Sequence, residues 1–247
     1  MSIFLDLWHT NLKVAKKTFY LSKDNPKLFL LGIPYMIILL IASRIAIAAG
    51  IFAGLILLLI QSAIISDYLF ILNKLLRTGK FDIEDFKSGF RVYFRKVYIS
   101  LFFIRVVYLG VDIFLDPFHS VKLMTIMILN IVAFVLLNPL LEVIYQKRLT
   151  EMDSFKYSIQ FVKENWFDWF IPNSVLLALS YGLYKLIVIN VMRITYVSQT
   201  YAWVIIAVLF AILSQILIGY GMVYRGCLFD LLSKTTRRKR IFTRHLH

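Results

Sequence analysis

The sequence has 247 residues, of which 60% are hydrophobic and only 17% charged, and its mean hydropathy is +0.76. Soluble domains are about 45–50% apolar and roughly 25% charged. One soluble core could not bury this excess, whereas a lipid bilayer accepts it. The net charge of +14 lies mainly between the apolar stretches, which predicts contact with anionic lipid headgroups rather than nucleic acid. The single cysteine, Cys227, excludes an intrachain disulfide and a thiolate metal site.

The first 27 residues carry five lysines and no apolar run followed by a small-residue cleavage site, so no secretory signal peptide is expected. The first long apolar run, 28–65, is interrupted only by Arg44. As one helix it would be roughly 57 Å long, nearly twice the ~30 Å hydrocarbon core. The sequence therefore predicts a helical hairpin that turns between Ser43 and Gly50, and whose second helix ends near Lys74.

Four later apolar stretches each have about the 20 residues that a transmembrane helix needs. They are Val97–Leu115, Leu123–Tyr145, Ile171–Met192 and Tyr201–Tyr224. The sequence thus predicts an all-α, polytopic helical bundle with six transmembrane helices.

The distribution of Lys and Arg predicts the orientation of these helices. In a six-helix arrangement, 23 of the 28 Lys and Arg fall on one side, in segments 1–27, 74–96, 147–163 and 225–244. The positive-inside rule assigns that side to the cytosol, so both termini are expected to be cytosolic. The string 234–240 then predicts a polybasic anchor beside the membrane. An abundance of Ile, Phe, Lys and Tyr is typical of an AT-rich bacterium, which favours a bacterial plasma membrane.

Three cytosolic segments have the apolar periodicity of amphipathic helices. The first stripe comprises Phe4, Trp8, Leu12, Ala15 and Phe19; the second comprises Ile83, Phe86, Phe90, Phe94 and Val97; the third comprises Met152, Phe155, Ile159, Val162 and Trp166. Such helices lie at the headgroup boundary or pack as ordinary cytosolic helices, and the sequence does not separate these alternatives.

Each amphipathic segment precedes two apolar stretches, which predicts three similar units within a single membrane domain. The boundaries are an N-terminal helix in 1–27, a hairpin in 28–73, an amphipathic helix with a hairpin in 81–145, and another in 151–224. Residues 225–247 form the basic tail.

Four ionisable residues fall inside predicted transmembrane helices, where a charge costs on the order of 2.5–3.5 kcal/mol. Matching depth and opposite sign predict two interhelical pairs, Asp112 with Lys185 and Arg105 with Glu142. These residues line a polar pathway or ligand pocket, or form buried pairs that fix helix register, or extend long side chains towards an interface. Asn138 and Pro139 predict a kink, because proline removes a backbone hydrogen bond.

The sequence has no signature of an enzyme. None of the four histidines falls inside a predicted transmembrane helix, and the zinc-protease, nucleophile-elbow, phosphate-loop and calcium-loop patterns are missing. We therefore expect no catalytic residues, no cofactor and no metal site.

Two segments carry a resemblance to known proteins. Asp82–Phe90 (DIEDFKSGF) and Glu151–Phe170 (EMDSFKYSIQFVKENWFDWF) resemble a broad group of uncharacterised prokaryotic membrane proteins. The group includes the DUF975-like proteins and the membrane domain appended to some glycerophosphodiester phosphodiesterases. Ser158 and Asn165-Trp166 stand in the places of the group's second motif. The resemblance covers about residues 80–175 and implies a helical bundle without assigned catalytic residues. With no soluble phosphodiesterase domain expected, that activity is not implied.

The sequence as a whole favours a non-catalytic membrane component, either an accessory or assembly subunit or a membrane-organising protein. Its expected partners are the lipid bilayer and another membrane protein subunit. The alternative is a small permease or channel that uses the four charges.

Overall fold

The computed structural model describes residues 3–196 and 201–235, and these residues are all-α. The helices are α1 (Ile3–Lys23), α2 (Gly32–Ala48), α3 (Ala53–Thr78), α4 (Ile83–Val92), α5 (Phe94–Leu115), α6 (His119–Leu136), α7 (Leu140–Gln146), α8 (Glu151–Tyr196) and α9 (Tyr201–Lys234). Short 3-10 turns at Pro26–Leu30 and Gly50–Phe52 connect the first three helices.

Six helical stretches are long and apolar enough to cross a membrane. They are Pro26–Ala48, Ala53–Thr78, Phe94–Leu115, His119–Gln146, Glu151–Ile189 and Val208–Lys234. By helix length and hydropathy the chain is a multi-pass membrane protein, and the predicted number of transmembrane helices is confirmed. The basic segment beyond Thr235 lies outside the described residues.

The first hairpin turns at Gly50. Its φ of +55° lies in the left-handed region, where glycine avoids the steric cost that a Cβ would add. The turn follows α2 directly and runs through Phe52, at the far end of the predicted interval.

The third amphipathic segment and the fifth transmembrane helix are two helices, which α8 joins across a kink. The kink lies at Asn165, the one non-helical residue within α8, at φ −128° and ψ 16°. The Asn165 side-chain amide donates to the carbonyl of Phe161 at 3.2 Å, so part of the backbone polarity at this bend is satisfied locally. The helix also accommodates Pro172 without ending.

The contacts within the chain divide it into two units. The first unit combines Met1–Ile33 with Phe167–His247, and the second is Pro34–Trp166. The boundary at Trp166 lies beside the bend at Asn165. The boundaries differ from those of the three predicted repeats, and the prediction of a single membrane domain stays a prediction.

Helix α1 exposes most of its predicted apolar stripe. Trp8 is 63% exposed and Phe19 56% exposed, and Leu12 also lies on the surface. The face that packs against α9 and the 3-10 turn before α2 carries mainly small polar side chains together with Val14. An apolar stripe on the outside of a membrane protein favours the headgroup boundary over an aqueous environment.

Helix α4, by contrast, is packed within the second unit. Phe86 stacks on Tyr35, with ring centroids 5.5 Å apart, and α4 lies along α3. The outward side of α4 carries exposed Lys87 and Arg91. Which of the two alternatives applies to each amphipathic segment stays a prediction.

Candidate functional site

Asp112 lies at the end of α5 that is joined to α6. It forms an ion pair with Lys122 at 3.2 Å, and Lys122 also contacts Asp116 at 2.9 Å. The Lys122 ammonium, by donating a hydrogen bond, holds the pKa of the Asp116 carboxyl below its usual value. Both carboxylates are largely exposed, so this cluster contributes little to stability. The sequence analysis missed Lys122 as a partner because it assigned partners by depth between helices and left the short connection aside.

Arg105 lies midway along α5, and its side chain is exposed on the surface of the second unit. Among the residues that the structure describes, no carboxylate forms an ion pair with it. Its predicted partner, Glu142, is 1% exposed at the start of α7. The pairing of Arg105 with Glu142 stays a prediction.

Lys185 is exposed on α8, with its ammonium 5.3 Å from the centroid of the Tyr181 ring. This cation–π contact is within the range at which an ammonium is attracted to an aromatic face. Lys185 belongs to the first unit and Asp112 to the second, so their pairing also stays a prediction. Three of the four predicted charges are thus on exposed surfaces.

The helix of the fourth transmembrane segment is interrupted at Asn138 and Pro139. Helix α6 ends at Leu136 and α7 begins at Leu140. The interruption leaves the Leu136 carbonyl outside the helical hydrogen-bond pattern, and the hydroxyl of Ser158 donates to it at 2.8 Å. Ser158 is fully buried. A side chain of α8 therefore satisfies the broken backbone.

The most deeply buried carboxylate of the second unit is Asp67, on α3. It is 0% exposed, and one carboxylate oxygen, Oδ2, accepts a hydrogen bond from the hydroxyl of Tyr35 at 2.6 Å. The other, Oδ1, is buried and has no hydrogen-bond partner among the described residues. A buried carboxylate is costly unless it is hydrogen-bonded, so the Tyr35 hydroxyl is essential to this arrangement.

Ser66 and Gly89 allow α4 to approach Asp67 closely. The Ser66 hydroxyl donates to the carbonyl of Gly89 at 2.9 Å and accepts from the amide of Tyr93 at the same distance. A Cβ placed on Gly89 would lie 3.0 Å from the Cα of Asp67. The sequence analysis did not single out Asp67. The signal that could have found this site is an acidic residue preceded by a serine in an otherwise apolar helix.

An ion pair joins the end of α3 to the start of α4. The Lys74 ammonium donates to both carboxylate oxygens of Asp85, at 2.6 and 2.7 Å. Burial alone would raise the pKa of Asp85. The hydrogen bonds from the Asp82 amide and from Lys74 outweigh that effect and hold the pKa below its usual value. Tyr93 is also fixed at this junction, since its hydroxyl accepts from the Asn73 amide at 2.7 Å.

The first unit contains an apolar groove, which we call the α1 groove. Helices α1, α8 and α9 line it, and its volume is about 710 Å³. Its walls include Leu5, Trp8, Pro172, Val175 and Leu176, with Tyr220 and Tyr224 opposite α1.

Within 3–196 and 201–235, no three His, Cys, Asp or Glu side chains lie close enough together to hold a metal ion. The expectations that the protein lacks catalytic residues and cofactors stay predictions.

Comparison with known proteins gives no assignment. Neither a protein-family model, nor a curated protein, nor a solved structure matches the chain. The resemblance to the prokaryotic membrane proteins named above therefore stays a prediction, and the function has to be argued from the site itself.

Proposed function

We propose that the protein is a non-catalytic accessory or assembly subunit of a bacterial plasma membrane, and that the outer face of α5 contacts its partner. The observation that carries this proposal is the exposure of Arg105 at mid-helix without a carboxylate partner among the described residues. A guanidinium near the bilayer centre costs about 2.5–3.5 kcal/mol even on insertion scales. A second subunit that supplies an acceptor would remove much of this cost.

The length of α5 argues against the simplest alternative for Arg105. The residue has roughly 16 Å of helix on one side and about 15 Å on the other, within a hydrocarbon core of ~30 Å. Arginines near helix ends extend to the interface, whereas a central one needs a partner or a local water defect.

The surroundings of Arg105 also favour a contact surface. Only 11% of the α5 transmembrane window is buried inside the chain, and none of the window in His119–Gln146 is. Helices α5 and α6 contact each other, and the Tyr108 hydroxyl donates to the Asn130 side-chain oxygen at 2.6 Å. This hydrogen bond is exposed, and polar side chains at such positions join helices within membranes.

The alternative, a small permease or channel, would need the predicted charges to face a common interior. We favour the subunit over the permease or channel because Arg105, Asp112 and Lys185 are exposed. Labelling single cysteines at these positions in a Cys227→Ser background separates the two functions. We expect a membrane-impermeant maleimide to modify Arg105→Cys poorly, and rapid modification of all three would favour a pathway.

Site-specific crosslinking in native membranes tests the proposed contact. A photoreactive residue at Val106, which is 44% exposed beside Arg105, should give a discrete adduct with one protein. Arg105→Leu should abolish the adduct, since the charge that recruits the partner is gone. Arg44→Leu is the matched control, because Arg44 is exposed near the end of α2 and can extend to the interface.

An adduct of unchanged intensity in Arg105→Leu would contradict the proposal, and so would crosslinking to lipid alone. An adduct at twice the mass of the chain would identify the partner as a second copy and assign the protein to the membrane-organising class.

A further inference from the structure

Helix α1 packs with its polar side inward. Its buried side chains, at four-residue spacing, are at most 6% exposed and polar apart from Val14; the polar ones are Asp6, Thr10, Thr18 and Ser22. The outer side carries Trp8, Leu12 and Phe19, which are 40–63% exposed. An amphipathic helix surrounded by water has the reverse arrangement, with its apolar stripe against the core. The stripe of α1 therefore requires an apolar covering that the first unit does not supply.

The lysines of α1 lie on a different edge of the helix from this stripe. At about 100° per residue, Lys13 and Lys17 are roughly 140° around the helix axis from the mean direction of Trp8, Leu12 and Phe19. Both lysines are exposed. The apolar and basic edges thus lie on either side of the face that packs against α9. A helix at a membrane surface has this pattern, with one edge towards hydrocarbon and the other towards headgroups and water.

Helix α1 lies across two candidate transmembrane helices and not along them. The α1 groove is lined from 5–15 of α1, but only from 171–176 of α8 and 220–224 of α9. These stretches rise about 15, 8 and 6 Å along their helix axes. Hydrogen bonds from the hydroxyls of Tyr220 and Tyr224 to α1, at 3.2 and 2.5 Å, fix the crossing. The helix therefore crosses α8 and α9 at one level.

Charged residues begin on both crossed helices close to this level. Between positions 201 and 224, α9 has no charged residue, and Arg225 directly follows. On α8, Asp168 is the last charged residue before 171–176, and the next one is Lys185. A transmembrane helix carries its charges where it leaves the hydrocarbon core. The crossing thus marks the boundary between hydrocarbon and headgroups.

We infer that α1 lies along the surface of the bilayer at this boundary. Its stripe of Trp8, Leu12 and Phe19 contacts lipid, while Lys13 and Lys17 lie among the headgroups and water. Trp8 supports a membrane surface as the occupant, because tryptophan is enriched at membrane–water interfaces. Trp8 also lines the apolar α1 groove, so the groove continues the lipid-facing edge. The inference does not depend on the partner proposed for α5, since α1 belongs to the other unit of the chain.

Spin-label accessibility of the full-length protein in vesicles tests the inference. Single cysteines replace Leu12 and Phe19 on the apolar edge, and Lys13 and Lys17 on the basic edge, in a Cys227→Ser background. Each nitroxide-labelled protein is reconstituted into vesicles of dioleoyl phosphatidylcholine and dioleoyl phosphatidylglycerol. Power saturation measures collisions with oxygen, which enters hydrocarbon, and with nickel ethylenediaminediacetate, which stays in water. We expect oxygen collisions to exceed nickel collisions on the apolar edge and the order to reverse on the basic edge.

Leu12 and Lys13 form the matched pair, because neighbouring residues lie at nearly the same position along the helix and differ in direction. Leu209→Cys gives the reference for lipid contact, since Leu209 is 54% exposed on a candidate transmembrane helix. Two positions on each edge keep the test decisive if one labelled variant loses its helical circular dichroism signal.

Nickel collisions in excess at all four positions would place α1 in water and overturn the inference. Oxygen collisions in excess at all four would place the whole helix in hydrocarbon and also overturn it. Exclusion of both reagents from Leu12 and Phe19 would show that a protein surface, and not lipid, covers the stripe.

Discussion

Two buried groups, the carboxylate of Asp67 and the backbone of Gly89, meet at the closest approach of α3 and α4. The Tyr35 hydroxyl bonds one oxygen of Asp67, and the Cα of Gly89 covers the other. The position at 89 therefore requires glycine because of space and not because of backbone conformation, since its φ is not positive.

Gly89→Ala is expected to destabilise the protein. The new Cβ would collide with Asp67 Oδ1 and lie 3.0 Å from the Asp67 Cα, and a backbone atom cannot move aside as a flexible side chain can. Overpacking of this kind costs about 1–3 kcal/mol. Thermal unfolding in detergent, followed by intrinsic fluorescence, measures the loss.

Gly110→Ala on α5 is the control for this substitution, because nothing lies within 4 Å of the Cβ that it adds. We expect its unfolding midpoint to stay level or to rise. A Gly89→Ala protein as stable as Gly110→Ala would refute the close packing of α4 against Asp67.

At the scale of whole elements, a hydrogen bond from α8 to the end of α6 compensates for the helix break between α6 and α7. The sequence predicts a kink from Asn138 and Pro139, and the chain is interrupted there. The sequence could not reveal that Ser158, 22 residues from Leu136, donates to the carbonyl that the break leaves free. The hydroxyl comes from another helix, and local periodicity carries no information on such a contact.

Ser158→Ala should lower the free energy of unfolding by about 1–3 kcal/mol, because the partly buried Leu136 carbonyl loses its hydrogen-bond partner. Ser154→Ala is a matched control on the same helix. Ser154 is equally buried, but its hydroxyl bonds the carbonyl of Thr150, four residues earlier. Denaturant titrations should give the control less than half the loss. Equal losses would mean that the bond across the break contributes nothing.

The junction of α3 and α4 should make stability depend on pH. The folded-state pKa of Asp85 is held below its usual value by the Asp82 amide and by Lys74, despite burial. A depressed carboxyl pKa contributes stability above the unfolded-state pKa of about 3.9, and this contribution disappears as pH falls through the folded value. The unfolding midpoint should therefore decline on acidification below about pH 4.

Asp85→Asn removes the titrating group, so part of that decline should be absent from its unfolding curve between pH 6 and 3. Above pH 5 the variant should have a lower unfolding midpoint than the unmodified protein, since Lys74 has lost its partner. Identical acid profiles for the two proteins would count against the Lys74–Asp85 pair.

At the scale of the whole molecule, hydropathy predicted the transmembrane helices, whereas side-chain chemistry did not predict the contacts between them. Six apolar stretches are recognisable because each must satisfy its backbone internally to cross a bilayer. The position of the kink at Asn165, where the third amphipathic helix meets the fifth transmembrane helix, was not predictable, since no proline or glycine marks it. The contact of Tyr35 with Asp67 spans 32 residues and depends on how hairpins pack, which hydropathy does not specify.

The six-helix arrangement requires the basic segments to lie on one side of the membrane. Green fluorescent protein or alkaline phosphatase, inserted into the full chain after Lys80, Pro117 or Lys147 or fused after His247, reports on which side of the membrane each point lies. We predict cytosolic fluorescence at Lys80, Lys147 and His247 and phosphatase activity at Pro117, because 23 of the 28 Lys and Arg share one side. Phosphatase activity at Lys80 together with fluorescence at His247 would place two basic segments on opposite sides and contradict the six-helix arrangement.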